Sequence, residues 1–196
     1  MSGVKSEIER ALANDGPIPR EHVLSWIESA ADLSTLSKLY RLTGEGYYRI
    51  QPELGAEVTC ALIQRYLLQC MRENVQTHDE EENEEDHIES RFEAAQLLHA
   101  WFLQIFQMKK HDQILKEAAR AITDLYVTGD EAIRNCVETG FLEHVLETEG
   151  LRPYFEHWSR DERLQDSWKH ALAWGKAHPD MMARMFEDLR KLKSET

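Results

Sequence analysis

The sequence has few of the residues that turn or end a chain: its 196 residues include only five prolines and nine glycines. These residues cluster at a few places and do not recur at the short intervals that separate β-strands. Such spacing is typical of helices, and we predict an all-α protein without strands. The predicted helices span residues 4–14, 19–31, 33–43, 53–76, 88–109, 112–128, 130–139, 141–148, 151–158, 161–177 and 180–193.

Long apolar runs are missing as well. No run of about 18 apolar residues occurs, which argues against a membrane-spanning helix. The first 12 residues carry several charges where a secretory signal needs an apolar stretch, so we expect a cytoplasmic protein. Cysteine usage agrees with a reducing compartment, because Cys60 and Cys70 would lie about 15 Å apart on one helix, too far for a disulfide.

Basic residues are outnumbered, with 23 Lys and Arg against 36 Asp and Glu, which gives a formal net charge of −13. This charge disfavours nucleic acid as a partner and favours a basic or neutral one. Seven of the acids lie within residues 79–86, and we predict an exposed loop at 77–87 in a single domain over 1–196. A solvated loop is the ordinary explanation of such a run. The alternative is capture of a basic protein, for which the candidate residues are Glu81, Glu82, Glu84 and Glu85.

Recognisable catalytic, metal and cofactor motifs are also absent. No CxxC or HExxH pairing occurs, and we predict neither a metal nor a cofactor. The segment Gly44–Arg49 has two of the glycines of a phosphate-binding loop but lacks its third glycine and its lysine. A helix end followed by a turn explains it better. From this segment we keep three contact candidates of interface-enriched types: Tyr47, Tyr48 and Arg49.

Histidines are the remaining candidates for chemistry. His99 lies in an apolar helical stretch, where a lone histidine is most often a core residue hydrogen-bonded through one ring nitrogen. No nucleophile elbow or catalytic cysteine signature accompanies it. A small-molecule-binding protein or hydrolase that uses His99 or His170 is therefore the minority hypothesis.

Aromatic and imidazole side chains are concentrated near the C-terminus. On the helix predicted from residue 161, Trp168 belongs to the apolar face and is expected in the core. Trp174 lies about 240° further round that helix, on a different and mixed stripe. Either Trp174 packs beneath the final helix or its stripe lines a binding groove. The other candidate members of the stripe are Arg163, Ser167, His170 and His178.

A known repeat family is suggested by the stretch Glu117–Leu125, EAARAITDL, together with the break at Gly129–Asp130, a second helix after that break, and Gly140. Residues 112–147 resemble one armadillo or HEAT-type helical repeat, and an echo 50 residues later extends to 193. The resemblance implies stacked helix pairs, solenoid-like in the C-terminal half, with a groove that binds protein or peptide. The alternative architecture is a closed helical bundle.

Together these observations favour a protein- or peptide-binding helical scaffold without catalytic activity. The first alternative is an acidic inhibitor or immunity-type protein that sequesters a basic partner by charge complementarity. The second alternative is the histidine-based hydrolase or small-molecule-binding protein described above.

Overall fold

The computed structural model describes residues 3–73, 88, 90–109, 111–179, 181 and 184, without the side chain of Glu45. Over these residues the fold is all-α, as predicted. The chain divides into two compact units, Met1–Ser90 (unit 1) and Arg91–Thr196 (unit 2). The expectation of a single domain over residues 1–196 stays a prediction, although the chain divides in this way. The predicted loop at 77–87 and most of the predicted helix at 180–193 lie outside the described residues.

Unit 1 is mainly helical. Its described elements are α1 (Val4–Leu12), β1 (Ile18–Pro19), α2 (Arg20–Ser29), α3 (Leu33–Glu45), a first 3-10 helix (Tyr47–Arg49), β2 (Ile50–Gln51) and α4 (Ala56–Glu73). The apolar residues at helical spacing along α3 are buried: Leu36, Leu39 and Leu42. α3 packs against both α1 and α4. Arg65 of α4 donates to the main-chain carbonyls of Ile27, at 2.9 Å, and Ala30, which lie at the end of α2. The core of unit 1 therefore lies around α3.

The prediction of no strands is wrong for β1 and β2. These strands pair in parallel, with Ile18 opposite Ile50 and Pro19 opposite Gln51. Both isoleucines are buried, so the pairing accompanies burial of two short apolar segments. Strands of two residues are too short to show the alternation by which a sequence reveals a strand.

Unit 2 carries the remaining helices. Its described elements are α5 (Arg91–Gln107), α6 (Asp112–Thr128), α7 (Glu131–Asn135), a π-helix (Cys136–Leu142), α8 (Glu143–Glu147), a second 3-10 helix (Glu149–Arg160) and α9 (Gln165–Ala177). The break predicted between α6 and α7 is confirmed. Gly129 follows the end of α6, and the Asp130 carboxylate accepts the main-chain N–H of Ile133 at 2.8 Å. That hydrogen bond satisfies one of the free donors at the start of α7.

The predicted break at Gly140 is wrong, whereas the helix predicted to end at residue 148 does end there, because α8 ends at Glu147 and Thr148 has extended backbone. α7, the π-helix and α8 follow one another without interruption, and Gly140 lies inside the π-helix. A Cβ added at Gly140 would lie 3.0 Å from the Cβ of Ala95 on α5, so a larger residue here would require its neighbours to shift. Gly150 lies within the second 3-10 helix. The helices predicted at 130–139 and 141–148 are thus continuous, whereas the repeat resemblance itself stays a prediction.

Aromatic side chains fill the core of unit 2. The Phe102 ring lies 5.8 Å from that of Phe141 and 5.7 Å from that of Phe155, measured between centroids. The segment predicted as a helix at 151–158 is part of the second 3-10 helix, which contains Pro153. Among the residues that the structure describes, every helix is too short or too polar to span a bilayer.

Candidate partner-binding site

The position of α9 is fixed by a small-residue contact with α8. Trp168, Ala171 and Gly175 form its buried face. A Cβ added at Gly175 would lie 2.5 Å from the carbonyl oxygen of Leu146, because the two backbones approach closely there. Trp168 is in the core, as predicted. This packing leaves another stripe of α9 directed away from the core.

Trp174 stands out on that stripe because it is 36% exposed. The other tryptophans are at most 9% exposed: Trp26, Trp101, Trp158 and Trp168. The Trp174 ring stacks on the imidazole of His178, with 3.9 Å between centroids and 27° between planes. His178 is in turn held by its Nδ1, which lies 3.0 Å from the Trp174 carbonyl oxygen. The stack therefore presents a positioned aromatic surface at the end of α9.

Carboxylates flank the stripe. His170 precedes Trp174 by one turn of α9, and its Nδ1 lies 3.6 Å from the carboxylate of Glu138 on the π-helix. Glu143 lies on α8, which packs against α9. Burial and the charge of Glu138 raise the pKa of Glu143, and the neighbouring His144 and His178 oppose that rise. We define the Trp174 face as Glu138, Glu143, His170, Trp174 and His178. It combines an aromatic ring with acidic groups.

A second group of imidazoles and a carboxylate lies in the core of unit 2. His144 Nδ1 is 2.8 Å from the carboxylate of Glu147, which is only 2% exposed. The ring of His99, 1% exposed, lies 5.9 Å from that of His144 between centroids. Burial lowers the pKa of His99 to about 4, with a further lowering from His144 and an opposing effect of Glu147. His99 is therefore a neutral core residue at neutral pH.

The expected hydrogen bond of His99 does not form through Nδ1, which has no partner among the described residues. An isolated buried ring nitrogen is uncommon because its desolvation is not offset. No group of three His, Cys, Asp or Glu side chains in the described chain has the geometry to hold a metal ion.

The remaining members of the predicted stripe have other contacts. Arg163 lies in the turn before α9, so it is not on the helix at all. Its guanidinium donates to the Asp161 carboxylate at 2.7 and 3.1 Å and lowers the pKa of Asp161 to about 2. The prediction that places Arg163 on the stripe is wrong, because Asp161 starts a turn and not the helix. Ser167 lies on α9, and its hydroxyl is 2.6 Å from that of Tyr126.

Of the three contact residues predicted just after α3, two are exposed and one is buried. Tyr47 and Tyr48 are 62% and 67% exposed, and their rings meet edge to face. Arg49 is 8% exposed, and its guanidinium donates to the carbonyls of Ala11, Asn14 and Gly16, at 2.6 Å to Ala11 and 3.1 Å to Gly16. Arg49 is therefore wrong as a surface contact residue: it satisfies carbonyls at and after the end of α1.

Sequence reasoning missed the carboxylates of the site, Glu138 and Glu143, and the buried pair His144 and Glu147. The predicted break at Gly140 separated Glu138 from Glu143 into different helices. A signal existed for the buried pair, because residues three apart on one helix are neighbours. The candidates Glu81, Glu82, Glu84 and Glu85 lie outside the described residues.

The fold and the Trp174 face define an all-α protein with an exposed aromatic stripe on one helix. Residues 45–174 match the model of a family described as Domain of unknown function (DUF7674), and the chain belongs to that family. The match covers about two thirds of the chain, including Tyr47, Tyr48 and α9 as far as Trp174. No curated protein and no solved structure matches the chain.

Proposed function

We propose that the chain is a protein- or peptide-interaction module and that the Trp174 face is its recognition surface. The observation that carries this proposal is the exposure of Trp174 beside four well-buried tryptophans. Tryptophan is enriched among the residues that dominate binding energy at interfaces, because it offers a large, rigid, amphipathic ring. The stack on His178 adds to that rigidity, which lowers the entropy lost on binding.

A basic partner is favoured by charge. The chain carries a net charge of −13, and Glu138 and Glu143 lie on the proposed surface. This charge also supports the narrower alternative of an inhibitor or immunity-type protein, which would sequester a basic target. Both functions use the same physical interactions and differ in what the partner does when free.

The hydrolase alternative has less support. His99 is almost fully buried and is therefore closed to a substrate, whereas the side chain of His170 is 76% exposed and lies 3.6 Å from the carboxylate of Glu138. Burial also raises the pKa of the Cys136 thiol to about 12, which makes it a poor nucleophile at neutral pH.

We also propose armadillo- or HEAT-like stacking of the C-terminal half and a cytoplasmic location. The stacking is supported by α6, the break at Gly129 and the helix that comes after it. The location is supported by the three cysteines, which are all described, all buried and in no disulfide.

The test is an affinity capture from lysate of the source cell, with the parent chain and Trp174→Ser as baits. We expect the parent to retain a partner that Trp174→Ser loses, since removal of a central aromatic residue typically costs about 2 kcal/mol or more. The matched control is Tyr48→Ser, which removes an aromatic side chain that is 67% exposed on unit 1.

Circular dichroism should show the same helix content for all three baits. A partner lost with Tyr48→Ser but kept by Trp174→Ser would move the recognition surface to unit 1. If a thermal-shift screen found a small-molecule ligand and no bait retained a protein, the interaction-module proposal would be wrong.

A further inference from the structure

We propose that the Trp174 face binds the guanidinium or ammonium group of a basic protein segment, with the cation against the indole ring and between the carboxylates of Glu138 and Glu143. This inference rests on the proposed function and adds the chemistry of the partner to it. Four observations support it.

The first observation is the geometry of the ring. The face of an indole attracts cations, and tryptophan does so better than tyrosine or phenylalanine. His178 stacks on one face of Trp174 at 3.9 Å between centroids, and the side chain is nevertheless 36% exposed. The ring is therefore both positioned by the chain and open to a ligand.

The second observation is the order of charged groups along α9. His170, Trp174 and His178 succeed one another at intervals of four residues, so they lie on successive turns of one stripe. Glu138 faces His170 at one end of this stripe, with 3.6 Å between the carboxylate and Nδ1. Glu143 interacts electrostatically with His178 at the other end. The π-helix and α8 both pack against α9, and each thus carries a carboxylate that interacts with an imidazole of this stripe.

The third observation is the position of the two lysines of α9, which could compete with a ligand for the carboxylates of the Trp174 face. Lys169 and Lys176 are both exposed, and each lies about 140–160° away from Trp174 around the helix. Lys169 is paired with Asp166 at 3.0 Å. These lysines therefore point away from the Trp174 face.

The fourth observation is the charge of the whole chain. A net charge of −13 attracts a basic segment and repels an acidic one before contact. The side chains of arginine and lysine supply both the cation and, through their aliphatic stems, the apolar surface that packs on an indole. A basic protein segment fits this surface better than an apolar peptide does.

The experiment uses the full chain, labelled uniformly with ¹⁵N, and an acetylated peptide with four arginines separated by glycines. The indole N–H signals report on the five tryptophans individually, and Trp174→Phe assigns the signal of Trp174. The control peptide carries citrulline, which has nearly the shape of arginine but no charge. We expect the Trp174 signal to shift saturably with the arginine peptide and to stay in place with the citrulline peptide.

Two double variants separate local contacts from the general field. Glu138→Gln/Glu143→Gln removes both carboxylates of the face, and Glu131→Gln/Glu162→Gln removes two exposed carboxylates elsewhere in unit 2. Each double variant changes the net charge from −13 to −11. We expect the first to weaken the affinity measured at Trp174 about tenfold and the second at most about twofold. Trp174→Leu should weaken peptide binding about fivefold by fluorescence anisotropy.

Three outcomes would overturn the inference: binding of the arginine peptide without movement of the Trp174 signal, an equal loss in the two double variants, or an equal response to the citrulline peptide. The proposed function is tested separately from this inference. If a cellular partner depended on Trp174 but was not displaced by the arginine peptide, the chain would still be an interaction module. The inference that the Trp174 face binds a cation would then be wrong.

Discussion

At the scale of the residue, burial determines the protonation state of His99. Its ring is 1% exposed and lies 5.9 Å between centroids from the ring of His144, which pairs with Glu147. A charged imidazole there would lose its hydration without a hydrogen-bonded partner at Nδ1. The pKa of His99 therefore falls to about 4 from its ordinary 6.5. The charge of this histidine is therefore coupled to folding.

This coupling predicts a loss of stability in acid. In the unfolded chain His99 binds a proton as the pH falls below its ordinary pKa of 6.5, whereas in the folded chain it does so only near 4. The free energy of unfolding should therefore decrease as the pH falls from 6.5 to 4, by about 3 kcal/mol from this group alone. Urea denaturation of the parent and of His99→Leu over this range measures the difference, because the variant lacks this contribution.

The control for that measurement is His170→Leu, since the side chain of His170 is 76% exposed. This variant should keep the acid-dependent loss that the parent shows. If His99→Leu and the parent lost the same free energy between pH 6.5 and 4, burial would not determine the protonation of His99.

Sequence alone located His99 in the core because its neighbours in the chain are apolar. It did not show that a buried glutamate lies nearby, since Glu147 is distant in sequence and acidic residues are mostly exposed. Arg49 was misjudged for the same reason: its three carbonyl partners precede it by more than 30 residues. Burial of a charged side chain depends on long-range contacts that local patterns do not carry.

At the scale of the element, α9 is placed by its glycine. Gly175 lets the backbone of α9 approach that of α8, and a Cβ added there would lie 2.5 Å from the Leu146 carbonyl oxygen. A side chain at this position would push against main chain, which cannot rotate out of the way. Trp174 directly precedes Gly175 in the chain, so the position of the Trp174 face depends on the contact between α9 and α8.

We predict that Gly175→Ala lowers the free energy of unfolding by about 2 kcal/mol, because the backbone clash exceeds the gain in helix propensity. The matched substitution is Gly44→Ala in α3, where an added Cβ meets nothing within 4 Å. That variant should be more stable than the parent by about 0.5 kcal/mol. Thermal and urea denaturation of both variants provide the comparison.

Opposite signs for the two alanine variants would support the close approach of α8 and α9. A stabilising Gly175→Ala would contradict it, because only an open position gains from alanine in a helix.

Helix content was predictable because apolar residues recur at helical spacing through both units. The ends of the helices were less predictable than the helices themselves. Gly140 resembles a helix end in sequence, yet it packs against Ala95, a contact that needs the folded position of α5. Asp161 resembles a helix start, yet α9 begins only at Gln165, which takes Arg163 off the predicted stripe. Trp174 kept its place because the predicted and the observed helix both end at Ala177.

At the scale of the whole molecule, the charge is unevenly distributed along the chain. The seven acids within residues 79–86 account for more than half of the net charge of −13, and without them it would be −6. Their field extends beyond contact distance and is screened by salt over about 10 Å at 0.1 M ionic strength. They can therefore accelerate the approach of a basic partner without touching it in the complex.

Electrostatic steering by the acidic run should change the rate of association with a basic partner. In a variant with every Asp of residues 79–86 changed to Asn and every Glu to Gln, association with the arginine peptide should slow about tenfold at low salt, while dissociation changes little. At about 0.5 M salt the association rates of parent and variant should converge, because screening removes the long-range field. Stopped-flow anisotropy of a labelled peptide measures both rates. A faster dissociation in the variant would contradict steering, since it would show that the acids hold the bound peptide directly.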